Sequence, residues 1–405
     1  MAIVLNDTQD MLRDSALTFL RENAPISALR AMRDSGDPVG FSRELWQRFA
    51  DLGLAGVLVP EAYGGSGLGV VEAGVIMEAI GRTLAPSPFL STAVIGASLL
   101  THYGSDAQRD ALLPAIASGR HLTALALDEA GKHRPFRLAT RATPHAGGYR
   151  IDGTKQLVVD GHVADTLIVA ARTGDARAGQ ATNATNATNA TNAANAVNAA
   201  GADDTQGITL LLVPRATPGV RIERVVLADA TQAARIVFEG VHVPADAVLG
   251  AVDGGGALLE RALDIGRAVL SSELLGIADE AFARTLAYLK ERRQFGKIIG
   301  EFQALQHRAA HLFTELELTR AIVLRCQQRL DESAPDGPEP LVSAAKARAG
   351  ETATLAVQEG VQMHGGIGMT DEFEIGFFMK RARTAQEWLG DANFHADRWA
   401  RLRGY

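Results

Sequence analysis

The sequence predicts an α+β protein in three parts: helical, then β, then helical again. Three observations carry this. Apolar residues recur at helical spacing through the first part of the chain. From about Leu122, short apolar runs bounded by turn residues replace them. At Gly254 the helical period returns. The expected domains are 1–121, helical; 122–250, β; and 251–405, helical. At 405 residues the chain is long enough for two or three domains.

The elements follow in order. Asn6-Asp7-Thr8 offers capping side chains before the stripe Met11, Leu12, Ala16, Phe19 and Leu20. Phe41, Leu45, Phe49 and Leu52 form a second stripe, and PEAYGGSGLG (Pro60 to Gly69) reads as a break. Helical patterns resume at Val71 to Thr83, which includes Glu78 and Gly81, and at Thr92 to Tyr103. In the β part, Asp152-Gly153 is a tight-turn signal inside GYRIDGTKQLVVD, which predicts a hairpin there. Thr166 to Ala171, Ile208 to Val213, Val220 to Val226 and Arg235 to Phe238 are further strand candidates. An insertion at 175–206 contains TNATNATNATNAANAVNAA (Thr182 to Ala200), a polar repeat without the apolar content to offset ordering. It is expected to be a disordered surface loop, and its Asn-Ala-Thr triplets carry little weight without a secretory signal. Leu258, Ala262, Ile265 and Val269 then fall on one helical face, PDGPEP (Pro335 to Pro340) is a connector, and Leu341 to His364 is helical.

Bulk properties narrow the function. A net charge of −7 argues against nucleic acid or an anionic membrane as partner. No apolar run reaches the roughly 20 residues of a membrane span. No signal peptide is visible, so a cytoplasmic enzyme is expected. Cys326 is the only cysteine, which rules out an internal disulfide and reads as a buried thiol. His307 and His311 stand four apart with no third ligand in view, and His364 and His395 are scattered, so no metal motif forms.

Two segments carry a family resemblance: YLKERRQFGKIIGEFQALQHRAA (Tyr288 to Ala310) and QMHGGIGMTDEFEIGFFMKRARTAQEWLGDA (Gln362 to Ala392). In this order and at this separation they resemble the flavoprotein acyl-CoA dehydrogenases, and the likeness covers almost the whole chain. It implies a helical N-terminal domain, a β-barrel-like middle domain and a C-terminal four-helix bundle. It also implies FAD bridging the subunits of a dimer or tetramer, an acyl-CoA substrate, and an electron acceptor such as an electron-transfer flavoprotein. By the resemblance Arg292 meets the flavin pyrophosphate, Gln294 and Phe295 pack near it, and Gln303 lies toward the adenine. Gln362, Gly365 and Gly366 match the Gln-x-x-Gly-Gly segment beside the ADP half, where small residues let the backbone approach.

The chain also departs from the pattern. Where relatives carry Thr-Glu-Pro…Gly-Ser-Asp, it reads LDEAGKHRPFRLATRA (Leu127 to Ala142). Where they carry Lys-x-Trp-Ile-Thr, it reads Lys155-Gln156-Leu157-Val158-Val159. The family's usual catalytic base is missing as well. Desaturation needs a proton acceptor within hydrogen-bond reach of the substrate α-carbon. The family places a glutamate at one of two positions, which here are Leu389 and Gly266. Three readings stay open. Another carboxylate could serve: Asp391, Glu387, or Glu273 seven residues after Gly266, about 10 Å along the helix. The chain could instead be one half of a heteromeric dehydrogenase; its C-terminal run resembles the small subunits of the pimeloyl-CoA dehydrogenase type, associated with dicarboxylate and steroid side-chain breakdown. Or it could be a non-catalytic or cofactor-sharing subunit, or run oxidase or monooxygenase chemistry on the same scaffold. By the resemblance, the backbone N–H at the base position polarises the thioester carbonyl, and Leu389 keeps that N–H.

Overall fold

A computed structural model describes residues 3–174, 205–332 and 337–405. The polar repeat at Thr182 to Ala200 lies outside the described residues, as do residues 333–336 of the connector.

The N-terminal part is helical: α1 (Asp7–Asn23), α2 (Ile26–Ser35), α3 (Arg43–Asp51), α4 (Val70–Thr83), a π-helical stretch (Phe89–Gly96), α5 (Ala97–Tyr103) and α6 (Asp106–Ala117). Asn6 caps α1 as its sequence suggests, accepting the Gln9 N–H at 2.9 Å. Its inward stripe is Leu12, Ala16, Phe19 and Leu20, whereas Met11 faces solvent. The second predicted stripe is corrected. Phe41 lies ahead of the Ser42 cap and Leu52 just past the helix, and α3 buries Trp46 and Phe49, stacked at 5.5 Å.

The middle part is one eight-stranded sheet: β1 (Thr123–Ala126), β2 (Arg141–His145), β3 (Gly148–Val159), β4 (Thr166–Arg172), β5 (Ile208–Pro214), β6 (Val220–Val226), β7 (Gln232–Pro244) and β8 (Val248–Leu249). The path is β6-β7-β3-β2-β4-β5-β8, with β1 also on β4. The hairpin predicted at Asp152-Gly153 does not form, because β3 runs straight through it. Both halves of β3 pair with β7, and the register shifts between Ile151 and Gly153. The glycine accommodates a bulge instead: a Cβ there would stand 2.4 Å from Thr140 Oγ1, while Asp152 accepts the Gly240 N–H at 2.8 Å.

The C-terminal part is α7 (Gly255–Glu291), α8 (Gln303–Asp331), α9 (Glu339–His364), α10 (Ile375–Glu387) and α11 (Ala392–Leu402), with a two-stranded ribbon, β9 (Arg293–Gln294) and β10 (Lys297–Ile298), between α7 and α8. The first four form a bundle, and α11 packs on α9 as a fifth helix. From Ala262 to Asp279, α7 is buried on every side, as befits a central helix. It crosses α4 at two glycines: a Cβ on Gly276 would lie 2.2 Å from Glu78 O, and one on Gly81 2.2 Å from Glu273 O. Glu78 and Gly81 thus belong to a close helix crossing. Cys326 is buried within the bundle, and burial pushes its thiol well above the ordinary range.

Candidate active site

A cleft of about 790 Å³ opens where four segments meet. They are the π-helical stretch (Leu90, Ser91, Ile95), the loop after β1 (Leu127 to His133), the end of β3 (Gln156 to Val159), and the turn after α10 (Glu387, Trp388, Leu389). The loop after β1 is fastened from within. Lys155 is fully buried and donates to Glu129 Oε1 at 2.7 Å and to Leu127 O at 3.0 Å. Glu129 also accepts the N–H groups of Ala139 and Thr140. Burial pulls the lysine down to about 8.

Leu389 lines this cleft with a left-handed backbone, φ 58°, followed by Gly390 at φ 108°. The turn is held by its carbonyls. Leu389 O accepts from Arg267 Nε at 3.2 Å and from His395 Nε2 at 3.1 Å. Gln386 O and Gly390 O each accept from Lys346 Nζ at 3.0 Å. Arg267 and Lys346 are both buried; burial, then the neighbouring Arg267, pulls Lys346 down to about 7. Among the described residues the Leu389 N–H donates to nothing. A rigid turn with one unused N–H in a cleft suits an oxyanion.

The two expected base positions face each other. A Cβ built on Gly266 would stand 3.0 Å from Leu389 Cδ1 and 3.1 Å from Ile95 Cγ1. The space that a carboxylate would occupy from either side is therefore apolar. The other carboxylates weighed from the sequence are engaged. Asp391 caps α11, accepting the Phe394 N–H at 2.8 Å, and its other oxygen takes Lys132 at 2.9 Å. Burial would raise this carboxyl, but those two donors hold it below the ordinary range. Glu387 lines the cleft and binds Lys132 at 2.8 Å. Glu273 lies elsewhere, buried against Arg381.

Sequence reasoning missed a buried relay. His133 Nδ1–H donates to Asp128 Oδ2 at 2.8 Å, and its Nε2 accepts from Arg267 Nη2 at 3.3 Å. Burial lowers its basicity, and Arg267 occupies its lone pair, so the ring orients Arg267 and is poorly placed to take a proton. His395 was visible only as one scattered histidine. Nothing local in the sequence marks either as buried beside Leu389.

The flavin-contact residues predicted from the helical half gather at one end of the bundle. Leu289, Ile299 and Met363 pack together with Tyr288, Phe302 and Leu305, which brings the end of α7, the ribbon and the end of α9 side by side. Arg292, Gln294, Phe295, Gln303, Gln362, Gly365 and Gly366 are all exposed there. Arg292 makes no ion pair among the described residues. A Cβ on Gly365 or Gly366 would meet nothing within 4 Å. A free guanidinium beside open backbone fits a pyrophosphate. On the other half, Leu157 presents an exposed apolar side chain into the cleft at φ 50°, with Val158 and Val159 beside it, which fits the face of an aromatic ring. Among the described residues no group of His, Cys, Asp and Glu could hold a metal, and no helix is long and apolar enough to cross a membrane.

Comparison with known proteins agrees with this geometry. Residues 6–120 match the family model "Acyl-CoA dehydrogenase, N-terminal domain", and residues 253–402 match "Acyl-CoA dehydrogenase, C-terminal domain". The chain is similar to the probable acyl-CoA dehydrogenase YngJ of Bacillus subtilis, 30% identical over 391 residues that cover 95% of this chain and 94% of the relative. Among solved structures it is similar to a variant of the Tcur3481-Tcur3483 steroid ACAD, at TM-score 0.83 and 29% identity, covering 98% of each chain. It shares its fold with the ChsE4-ChsE5 complex from Mycobacterium tuberculosis, at TM-score 0.84 and 24% identity, covering 100% of each chain.

Proposed function

Because the chain belongs to the acyl-CoA dehydrogenase family of oxidoreductases acting on CH–CH groups, we propose that it works as one subunit of a heteromeric, FAD-dependent acyl-CoA dehydrogenase. One observation carries the reading: Leu389 and Gly266 fill both base positions with apolar contact while the turn around them is kept rigid. A second dehydrogenase chain would supply the proton acceptor, in its own cleft or in a shared one. The two-chain names of the steroid ACAD and of ChsE4-ChsE5 support that form of assembly. So does the apolar surface at the flavin end, where Phe295 is 89% and Met369 75% exposed. The likeness to small subunits of the pimeloyl type enters this proposal as a likeness of assembly and not of acyl group.

Arg292, Gln294, Phe295, Gln303, Gln362, Gly365 and Gly366 would hold FAD across the subunit boundary. Bound there, FAD would supply the hydride acceptor, reoxidised by a partner such as an electron-transfer flavoprotein. This chain's own residues bind and orient. The Leu389 N–H polarises the thioester carbonyl, while Arg267, His395 and Lys346 fix the turn that presents it. Trp388 and Leu157 exclude water from the cleft.

The test is anaerobic flavin absorbance with a panel of acyl-CoAs, for the chain purified alone and co-expressed with a second acyl-CoA dehydrogenase chain. Bleaching confined to the co-expressed sample is expected. Bleaching by the chain alone would overturn the proposal. If Glu387→Gln then abolished that bleaching, Glu387 would be the base, a reading favoured by its place on the cleft wall.

A further inference from the structure

Behind Trp388 lies a second, partly open pocket of about 550 Å³, counting the solvent at its mouth. Leu90, Val159 and Trp388 line both this cavity and the cleft, so an acyl chain passing Leu389 heads toward it. Its walls are mostly apolar, from Phe41, Met77, Ile80, Leu84, Leu90 and Trp388, with a polar cluster at Asp160, His162, Thr231, Gln232, Glu273 and Arg381.

Two buried polar atoms on the lining lack partners, and both are acceptors; the half-buried Ser87 hydroxyl also lines the cavity. Glu273 is 1% exposed; its Oε1 takes Arg381 Nε at 2.6 Å, and its Oε2 has no partner. His162 is buried; its Nε2 faces Val39 O at 2.8 Å and must carry the hydrogen, which leaves Nδ1 as a lone pair, also without a partner. Burial lowers the basicity of that ring, the bond to Val39 O opposes this, and Arg224, Arg215 and Arg43 lower it further. Asp160 accepts from Ser91 Oγ at 2.6 Å, and burial pushes its carboxyl up to about 6. The cation on the lining, Arg381, is already committed: it binds Glu273 and Asp229, the latter at 2.9 Å, and lies over the Trp388 ring at 4.4 Å. Gln232 is turned away, donating to Asp37 O, and Thr231 Oγ1 is taken up by Asp229.

We propose that this cavity is the distal end of the acyl site, that it takes an acyl chain whose far end is a hydrogen-bond donor, a hydroxyl or an ammonium, and that it excludes a chain ending in a carboxylate. The inference rests on the acyl-CoA reading above. A terminal methyl would seal two buried acceptors without partners, which is unfavourable. A terminal carboxylate would join three others, Glu273, Asp160 and Asp229, around one shared guanidinium. A hydroxyl satisfies an acceptor directly, and an ammonium also offsets the excess negative charge.

The test is calorimetric binding, which needs no turnover. The protein is used in the oligomeric state and with the flavin content in which it is isolated. The probes are CoA thioesters of matched length ending in methyl, hydroxyl, amino or carboxyl groups, run as a series of graded lengths. The hydroxyl or amino thioester is expected to bind about tenfold or more tightly than the methyl one, with the carboxyl one weakest. Whichever of the two binds better identifies the donor. In Glu273→Gln and in His162→Phe the preference over methyl should shrink toward unity. Should Glu273→Gln fail to fold, the wild-type ratios and His162→Phe still decide. Equal binding of all four ends, as an ordered water on the two acceptors would produce, overturns the subsite while leaving the acyl-CoA reading intact. A preference for carboxyl does the same. Failure of every thioester to bind removes the acyl-CoA reading and the subsite together.

Discussion

Replacing Leu389 with glutamate should restore a proton acceptor. The backbone already accepts a side chain at φ 58°, so glutamate adds no strain that leucine does not carry. The new carboxylate would enter the contact between Leu389 and Gly266, where the absent Cβ of Gly266 leaves room. Its electrostatic setting is favourable, since Arg267 and Lys346 both bind carbonyls of the same turn. Burial would raise the carboxyl and the Arg267 guanidinium would lower it. A positioned general base is worth about 10²–10⁴ in rate, or roughly 3–5 kcal/mol of barrier. The assay is anaerobic stopped-flow loss of oxidised flavin absorbance after mixing with acyl-CoA, comparing wild type, Leu389→Glu and Leu389→Gln in the flavin-loaded protein. Acceleration by Glu alone is expected. A Glu variant with full flavin content and no gain over Gln would refute the claim that this turn presents an acyl α-carbon to position 389.

Asp391→Asn should retain the cap on α11 and change stability by under ~1 kcal/mol, whereas Asp391→Ala should lose about 1 kcal/mol in urea denaturation. Neither should slow flavin reduction in the co-expressed enzyme; a large rate loss in Asp391→Asn would make Asp391 the base. Lys346 is held near 7 in the folded protein against 10.5 when unfolded, so between these values the unfolded chain binds the extra proton. Stability from this group is therefore complete above 10.5 and lost as pH falls through about 7, at up to ~1.4 kcal/mol per pH unit. Urea midpoints at pH 7 and 9 should show this rise in wild type and lose that component in Lys346→Met. Gly276→Ala places a methyl 2.2 Å from Glu78 O and forces α4 away from α7, so a loss of about 2–4 kcal/mol is expected in thermal unfolding.

The helix–β–helix order was legible because periodicity is a local property, and β6 begins and ends where the expected strand does, at Val220 and Val226. That Arg292, Gln294, Phe295, Gln303, Gln362, Gly365 and Gly366 gather on one exposed end of the bundle follows from two local motifs whose spacing is preserved. The hairpin at Asp152-Gly153 failed because a turn signal is local while strand pairing is not: with β7 available to both halves of β3, continuing the ladder wins and the glycine serves a bulge. The stripe at Phe41 to Leu52 failed because a capping serine inside it starts the helix late. The buried charges were the least visible. Arg267, Lys346, His133 and His395 come from four segments, and such residues are ordinarily solvated. Glu273 looked merely too far along its helix from Gly266 to reach the same proton; only the fold reveals Arg381 beside it and the second cavity around it.

These buried cations also explain how the chain tolerates leucine at the base position. Had Arg267 or Lys346 been paired with a carboxylate there, its loss would leave a buried charge uncompensated, at about 3–5 kcal/mol. Each is bonded to something else. Arg267 has Asp264 at 2.9 Å and the Leu389 carbonyl, and Lys346 has two carbonyls. The carbonyls belong to the backbone and survive any substitution at 389. The turn's shape is therefore independent of the side chain at 389. A chain built this way can give up proton abstraction while keeping a preorganised thioester cradle, which is the division of labour a heteromeric dehydrogenase needs.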